Sequence, residues 1–211
     1  MTGPADDDRR RAILDSAARL FGHYGHAKTT IADIAREAGI GVGSVYLVFD
    51  SKEAIVEELS MGAHVRVLSA MRAVATDRAH ETFPERLAGV LEARVTAFQD
   101  LGRSGQHACD LLHCKSSPVK TAHARFREEE HALLCALFED AKKTGEISTI
   151  DPTRAASLVQ RAFATLTPPW LYEEPLEEAR RTAHDLSRLL LLGLVARGEA
   201  LRTSSRAKKR R

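Results

Sequence analysis

The sequence predicts an all-α protein of about nine helices, and three observations carry that expectation. Apolar residues recur three and four positions apart along nearly the whole chain. No run alternates with the two-residue period of a half-buried strand. Glycines, prolines and short hydroxyl or acidic side chains stand where such helices would start and stop.

The first helix is expected over about Arg9–Tyr24, with Ile13, Ala17, Leu20, Phe21 and Tyr24 on one stripe and Gly25 as its stop. The second is short. Thr30 caps it, Asp33 completes a capping box, Ile31, Ile34, Ala35 and Ala38 turn inward, and Gly39 ends it. After only Gly39-Ile40-Gly41 a third helix runs over about Val42–Phe49, and a fourth starts under a Ser51 cap and continues toward Val74. Longer helices follow at about Pro84–Leu101, Pro118–Lys143, Pro152–Leu166 and Pro175–Arg197, with a short one at about His107–Cys114. The last is almost uniformly apolar from Leu186 to Val195. A helix apolar all round needs cover all round, which points to a partner subunit with Leu189, Leu190 and Leu194 at the interface.

The chain has 211 residues, 44% hydrophobic and 28% charged, which suits a buried core and excludes collagenous or disordered chains. No stretch approaches the ~20 apolar residues of a membrane span. The start, Met1–Asp8, is acidic where a signal peptide would be basic, so the cytoplasm is the expected location and no membrane partner is expected. Three cysteines, an odd number in a chain of this length, are expected as free thiols. The net charge of +2 is uneven: six bases lie in the last ten residues, and residues 9–52 carry seven bases against four acids. A locally basic head on an acidic body fits polyanion binding through the head. Residues 202–211 show no apolar pattern and are expected to form a disordered basic tail.

Two short helices joined by a tight glycine-containing turn, supported by the first helix, make a helix-turn-helix, whose second helix enters the DNA major groove. A plain helical hairpin is the alternative. Within it, Ala38-Gly39-Ile40, Gly43-Ser44-Val45-Tyr46, Phe49 and Ser51-Lys52-Glu53 resemble the DNA-binding signature of the tetracycline-repressor (TetR) family of bacterial transcriptional regulators. The resemblance covers residues 9–56. It implies a homodimeric repressor on a palindromic double-stranded operator, released when a small molecule binds the larger C-terminal part, and hence a helix-turn-helix domain over 1–56 and a helical ligand-binding and dimerisation domain over 57–201.

The residues support that reading one by one. Gly43 lets backbone approach a base edge or phosphate. Ser44 and the helix start offer donors to phosphate. Tyr46 places a hydroxyl on the DNA backbone, and Val45 and Phe49 pack inward. Lys28, Thr29, Thr30 and Lys52 are further candidate phosphate contacts. Val42 and Leu47 share the outward face where the family often carries polar or aromatic residues, and thymine methyl groups are what such side chains can touch.

Cys109, His113 and Cys114 form a second cluster, with Asp110 between them. At helical spacing Cys109 and His113 share a face, so a metal- or thiol-responsive regulator, completed by Cys135, is the alternative function; no metal site or cofactor is assigned. Catalysis has no support: Glu128-Glu129-Glu130-His131 reads as a solvated helix face, and no phosphate loop or nucleophile elbow is present. An enzyme or plain small-molecule-binding protein is the other alternative. The effector is expected to be small and partly apolar, in a pocket lined by Phe98, His113, Phe126, Phe163 and Trp170.

Overall fold

A computed structural model of the chain describes residues 4–77, 82–103, 107–113, 116–147 and 150–191. Among them are eight α-helices, two 3-10 turns and no strand. The helices are α1 (Pro4–Tyr24), α2 (Ile31–Glu37), α3 (Val42–Tyr46), α4 (Lys52–Thr76), α5 (Phe83–Gly102), α6 (Ser117–Lys143), α7 (Pro152–Ala162) and α8 (176–191). The 3-10 turns are Ala108–Leu111 and Trp170–Glu173.

The helix ends hold the differences from expectation. α3 stops at Tyr46, not Phe49, because the Leu47 N–H is shared between the Gly43 and Val45 carbonyls and the Val48 N–H also returns to Val45, which tightens the last turn. The segment expected as a helix over His107–Cys114 is a single 3-10 turn, with Asp110 N–H on His107 O and Leu112 N–H on Cys109 O. α7 ends at Ala162, not Leu166, and the Arg94 guanidinium takes the Leu166 carbonyl at 2.7 Å and the Thr167 hydroxyl at 2.9 Å. Leu194 and the tail 202–211 lie outside the described residues.

The chain divides into two compact units, Met1–Arg66 with Gln99–Phe126, and Val67–Phe98 with Arg127–Arg211. The boundary expected at 56/57 therefore falls inside α4, where no linker interrupts the helix. In the first unit Ile13, Ala17 and Phe21, four apart on α1, share a core with Ile34, Ala35, Val45 and Phe49; Ile55, Val56 and Val119 join it from α4 and α6. Tyr24, expected on the same stripe, is exposed. The 107–111 turn is tied to this unit by the His107 N–H, which donates to Gly22 O at 3.0 Å.

The second unit buries an ion pair. Arg94 meets Glu130, and Gln160 Nε2 donates to the other carboxylate oxygen of Glu130 at 2.8 Å. Two charges can sit inside an apolar unit only when such partners replace water. Elsewhere in this unit the Phe83 and Phe138 rings meet edge to face, 5.0 Å apart.

Candidate nucleic-acid interface

The geometry of the interface is set by α2. The Thr30 N–H and hydroxyl both donate to Asp33 Oδ2, at 3.0 and 2.6 Å, and the Asp33 N–H returns to Thr30 Oγ1 at 3.2 Å, which is the expected capping box. At the other end Ile40 N–H bonds Ala35 O and Gly39 N–H bonds Arg36 O, with Gly39 at φ +68°. This paired C-terminal closure needs a left-handed residue, so glycine is the residue that starts the turn. Only Ala38, Gly39, Ile40 and Gly41 then separate α2 and α3.

Val45 and Phe49 are buried, and Val48 packs against the same core. With those positions inside, helical spacing turns Val42, Gly43, Tyr46 and Leu47 outward. Val42 is 43%, Tyr46 52% and Leu47 81% exposed. A Cβ at Gly43 would meet nothing within 4 Å, and its φ is not positive. The fold itself makes no demand for glycine there. Ser44 is half-buried beside it.

The basic residues counted in the head are mostly committed inside the unit. Arg9 pairs with Asp6, Arg10 with Glu58, Arg11 with Asp8, Arg19 with Glu37 and Arg36 with Asp33. Arg10 also lies over the Phe49 ring, 4.6 Å from its centre. Lys52, expected on a phosphate, donates instead to His26 O (2.9 Å) and Thr29 O (3.0 Å). Thr29 is buried and its hydroxyl donates to Gly25 O at 3.0 Å. Both residues satisfy backbone carbonyls of the turn between α1 and α2. Thr30 is held by its cap. Lys28 is exposed and has no partner among the described residues.

The Cys/His cluster does not gather. No group of three metal-ligating side chains comes together among the described residues, His113 is exposed, and Cys114 lies outside them. Burial, then the Asp110 carboxylate, pushes the Cys109 thiol above its ordinary range, opposite to a reactive thiol. Cys135 belongs to the second unit, 3.6 Å from His131 Nδ1. Of the expected effector residues, Phe98, Phe126 and Phe163 are buried, while His113 and Trp170 are exposed. Phe126 and His113 belong to the first unit, the other three to the second. A small pocket of about 80 Å³ in the first unit, lined by Ala18, Gly22, Leu59, Ala63, Leu111 and Arg66 among others, includes none of the five.

Residues 13–59 match the family described as bacterial regulatory proteins, tetR family. Over 90% of its length the chain is 24% identical to the uncharacterized HTH-type transcriptional regulator YhgD of Bacillus subtilis, covering 98% of that protein. It is 48% identical over 68 residues to the HTH-type transcriptional repressor KstR2 of Rhodococcus jostii, 29% of this chain and 33% of the repressor. The transcriptional regulator FadR from Bacillus subtilis, solved in complex with stearoyl-CoA, shares the fold at a TM-score of 0.66 and 19% identity, over 85% of this chain and 96% of that one.

Proposed function

We propose that this chain is a transcriptional regulator of the TetR family, a homodimeric repressor that seats α3 in the major groove of a palindromic operator and leaves it when a small, partly apolar molecule binds. The observation that carries the reading is the outward face of α3. Val42, Tyr46 and Leu47 are exposed around a glycine the fold does not require, on a five-residue helix and its C-cap that follow the capped α2. Such a face costs hydration in the free protein, and insertion into DNA removes that cost.

In this reading Gly43 and Ser44 bring backbone and hydroxyl to the DNA, Tyr46 adds its own hydroxyl, and Lys28 supplies a phosphate contact. Leu189, 67% exposed on α8, and the half-buried Leu190 support dimerisation through that helix. Acyl-CoA thioesters are the first effector class to try, since the FadR neighbour was solved with stearoyl-CoA. Binding to an operator would put the site of action in the cytoplasm. No described helix is long and apolar enough to cross a membrane.

The test is selection of duplexes from a random pool by the purified full chain, followed by titration of acyl-CoA esters and aromatic metabolites into the complex. A palindromic consensus released by one compound class is the expected result. Failure to enrich any duplex over competitor DNA overturns the DNA reading. Enrichment with release only by a metal or a thiol oxidant replaces the effector half of it.

A further inference from the structure

We propose that the chain recognises its operator chiefly through thymine 5-methyl groups, read by Leu47 and Val42, with no bidentate contact to a base edge from α3. This rests on the placement of α3 in the major groove proposed above and specifies what is read there.

Base identity in the major groove is carried by hydrogen-bonding edges and by one apolar feature, the methyl group of thymine. Reading guanine bidentately takes Arg or Lys, and reading adenine takes Asn or Gln. From Ile40 to Phe49 the sequence has none of these; its polar side chains there are the hydroxyls of Ser44 and Tyr46. The nearest guanidinium on α2, Arg36, is paired with Asp33, and Lys52 is spent on two carbonyls. What α3 and its C-cap offer outward is apolar. Leu47 is the most exposed of the large hydrophobic side chains described, with Tyr46 next to it in sequence and Val42 at the start of α3, both also exposed. With no side chain at Gly43 and open space over it, nothing on α3 stands between these residues and the groove floor. An apolar face pressed onto hydrogen-bonding base edges would strand their donors and acceptors, so it favours sequences that present methyl groups instead.

The test uses the operator selected by the full chain and the same duplex with deoxyuridine at each thymine in turn, which removes only the methyl group. Burying one methyl-sized group corresponds to roughly a fourfold change in affinity, so about one or two positions per half-site should each weaken the wild type by that factor. Leu47→Ala, at a site so exposed that folding is not at stake, should bind the thymine and deoxyuridine duplexes alike at its position, and Val42→Ala likewise at its own. A non-specific duplex should bind equally well with either base. If the selected operator with deoxyuridine throughout binds the wild type unchanged, methyl readout is wrong and the groove placement stands. If Leu47→Ala keeps the full thymine preference at every position and Val42→Ala does too, the assignment to these residues is wrong. If no duplex is selected, both this inference and the proposed function fall.

Discussion

Gly43 separates folding from function more sharply than any other single position. Its backbone is helical and its missing side chain would meet open space, so Gly43→Ala should hold or raise stability by up to about 1 kcal/mol through helix propensity. The same change should weaken operator binding, and Gly43→Asp should abolish it while the protein still melts cooperatively. Normal operator affinity for folded Gly43→Asp would place α3 away from the DNA. Lys52 is the opposite case. Its ammonium closes the α1–α2 turn through two carbonyls, so Lys52→Ala should cost roughly 1–3 kcal/mol in urea unfolding and leave the salt dependence of DNA binding unchanged. Lys28→Ala should reduce that salt slope by about one, the share of a single neutralised phosphate. At this scale the sequence was legible where a residue's neighbours are its own helix, as at Val42, Tyr46 and Leu47. The carbonyl bonds of Thr29 and Lys52 were not legible, because a cation or hydroxyl near a turn serves a carbonyl as readily as a phosphate, and only the fold shows which carbonyls are within reach.

The helix ends determine how firmly α3 is presented. The Thr30 hydroxyl, then its N–H, then Arg36 hold the Asp33 carboxyl below the usual carboxylate range. A carboxylate depressed in the folded state stabilises fully above its unfolded value and loses that contribution as pH falls through the folded one. The stability gap between wild type and Asp33→Asn should therefore be widest at neutral pH and narrow on the acid side of the ordinary aspartate range, below about pH 4, in urea titrations at a series of pH values. A gap independent of pH would mean the charge plays no part in the cap. Thr30→Ala should cost about 1 kcal/mol at pH 7. These caps were readable in advance because Thr-x-x-Asp and a following glycine act within four residues of themselves. The long helices were readable too, from period alone. The 3-10 turn at Ala108–Leu111 and the early end of α7 were not, since each is fixed by a hydrogen bond from far along the chain: His107 N–H to Gly22 O in one case, Arg94 to Leu166 O in the other.

For the molecule as a whole, charge pairing and the exposed face of α8 bear on how tightly DNA is held. The excess of bases in residues 9–52 promised a strong electrostatic term, yet five of the arginines are paired with acids within the first unit. A sum over sequence cannot see this, because the acids lie a helical turn or a whole helix away. In the proposed dimer, two recognition helices would add affinity by making the second half-site contact intramolecular. α8 buries Ala179, Ala183, Ser187 and Leu191 along one face, which leaves Leu189 outward on the side proposed for the partner. Leu189→Arg should shift sedimentation from dimer to monomer at micromolar concentration, since a buried unpaired charge has no compensation at such an interface. The monomer should still fold, keep its helical content, and bind a single half-site weakly. Wild type should prefer half-sites whose centres are about 34–36 Å apart, one turn of DNA, and lose affinity when five base pairs are inserted between them, because the second helix then faces the wrong side of the duplex. A wild-type protein that sediments as a stable monomer, or that tolerates the five-base-pair insertion, would show that the two heads are not held on one frame.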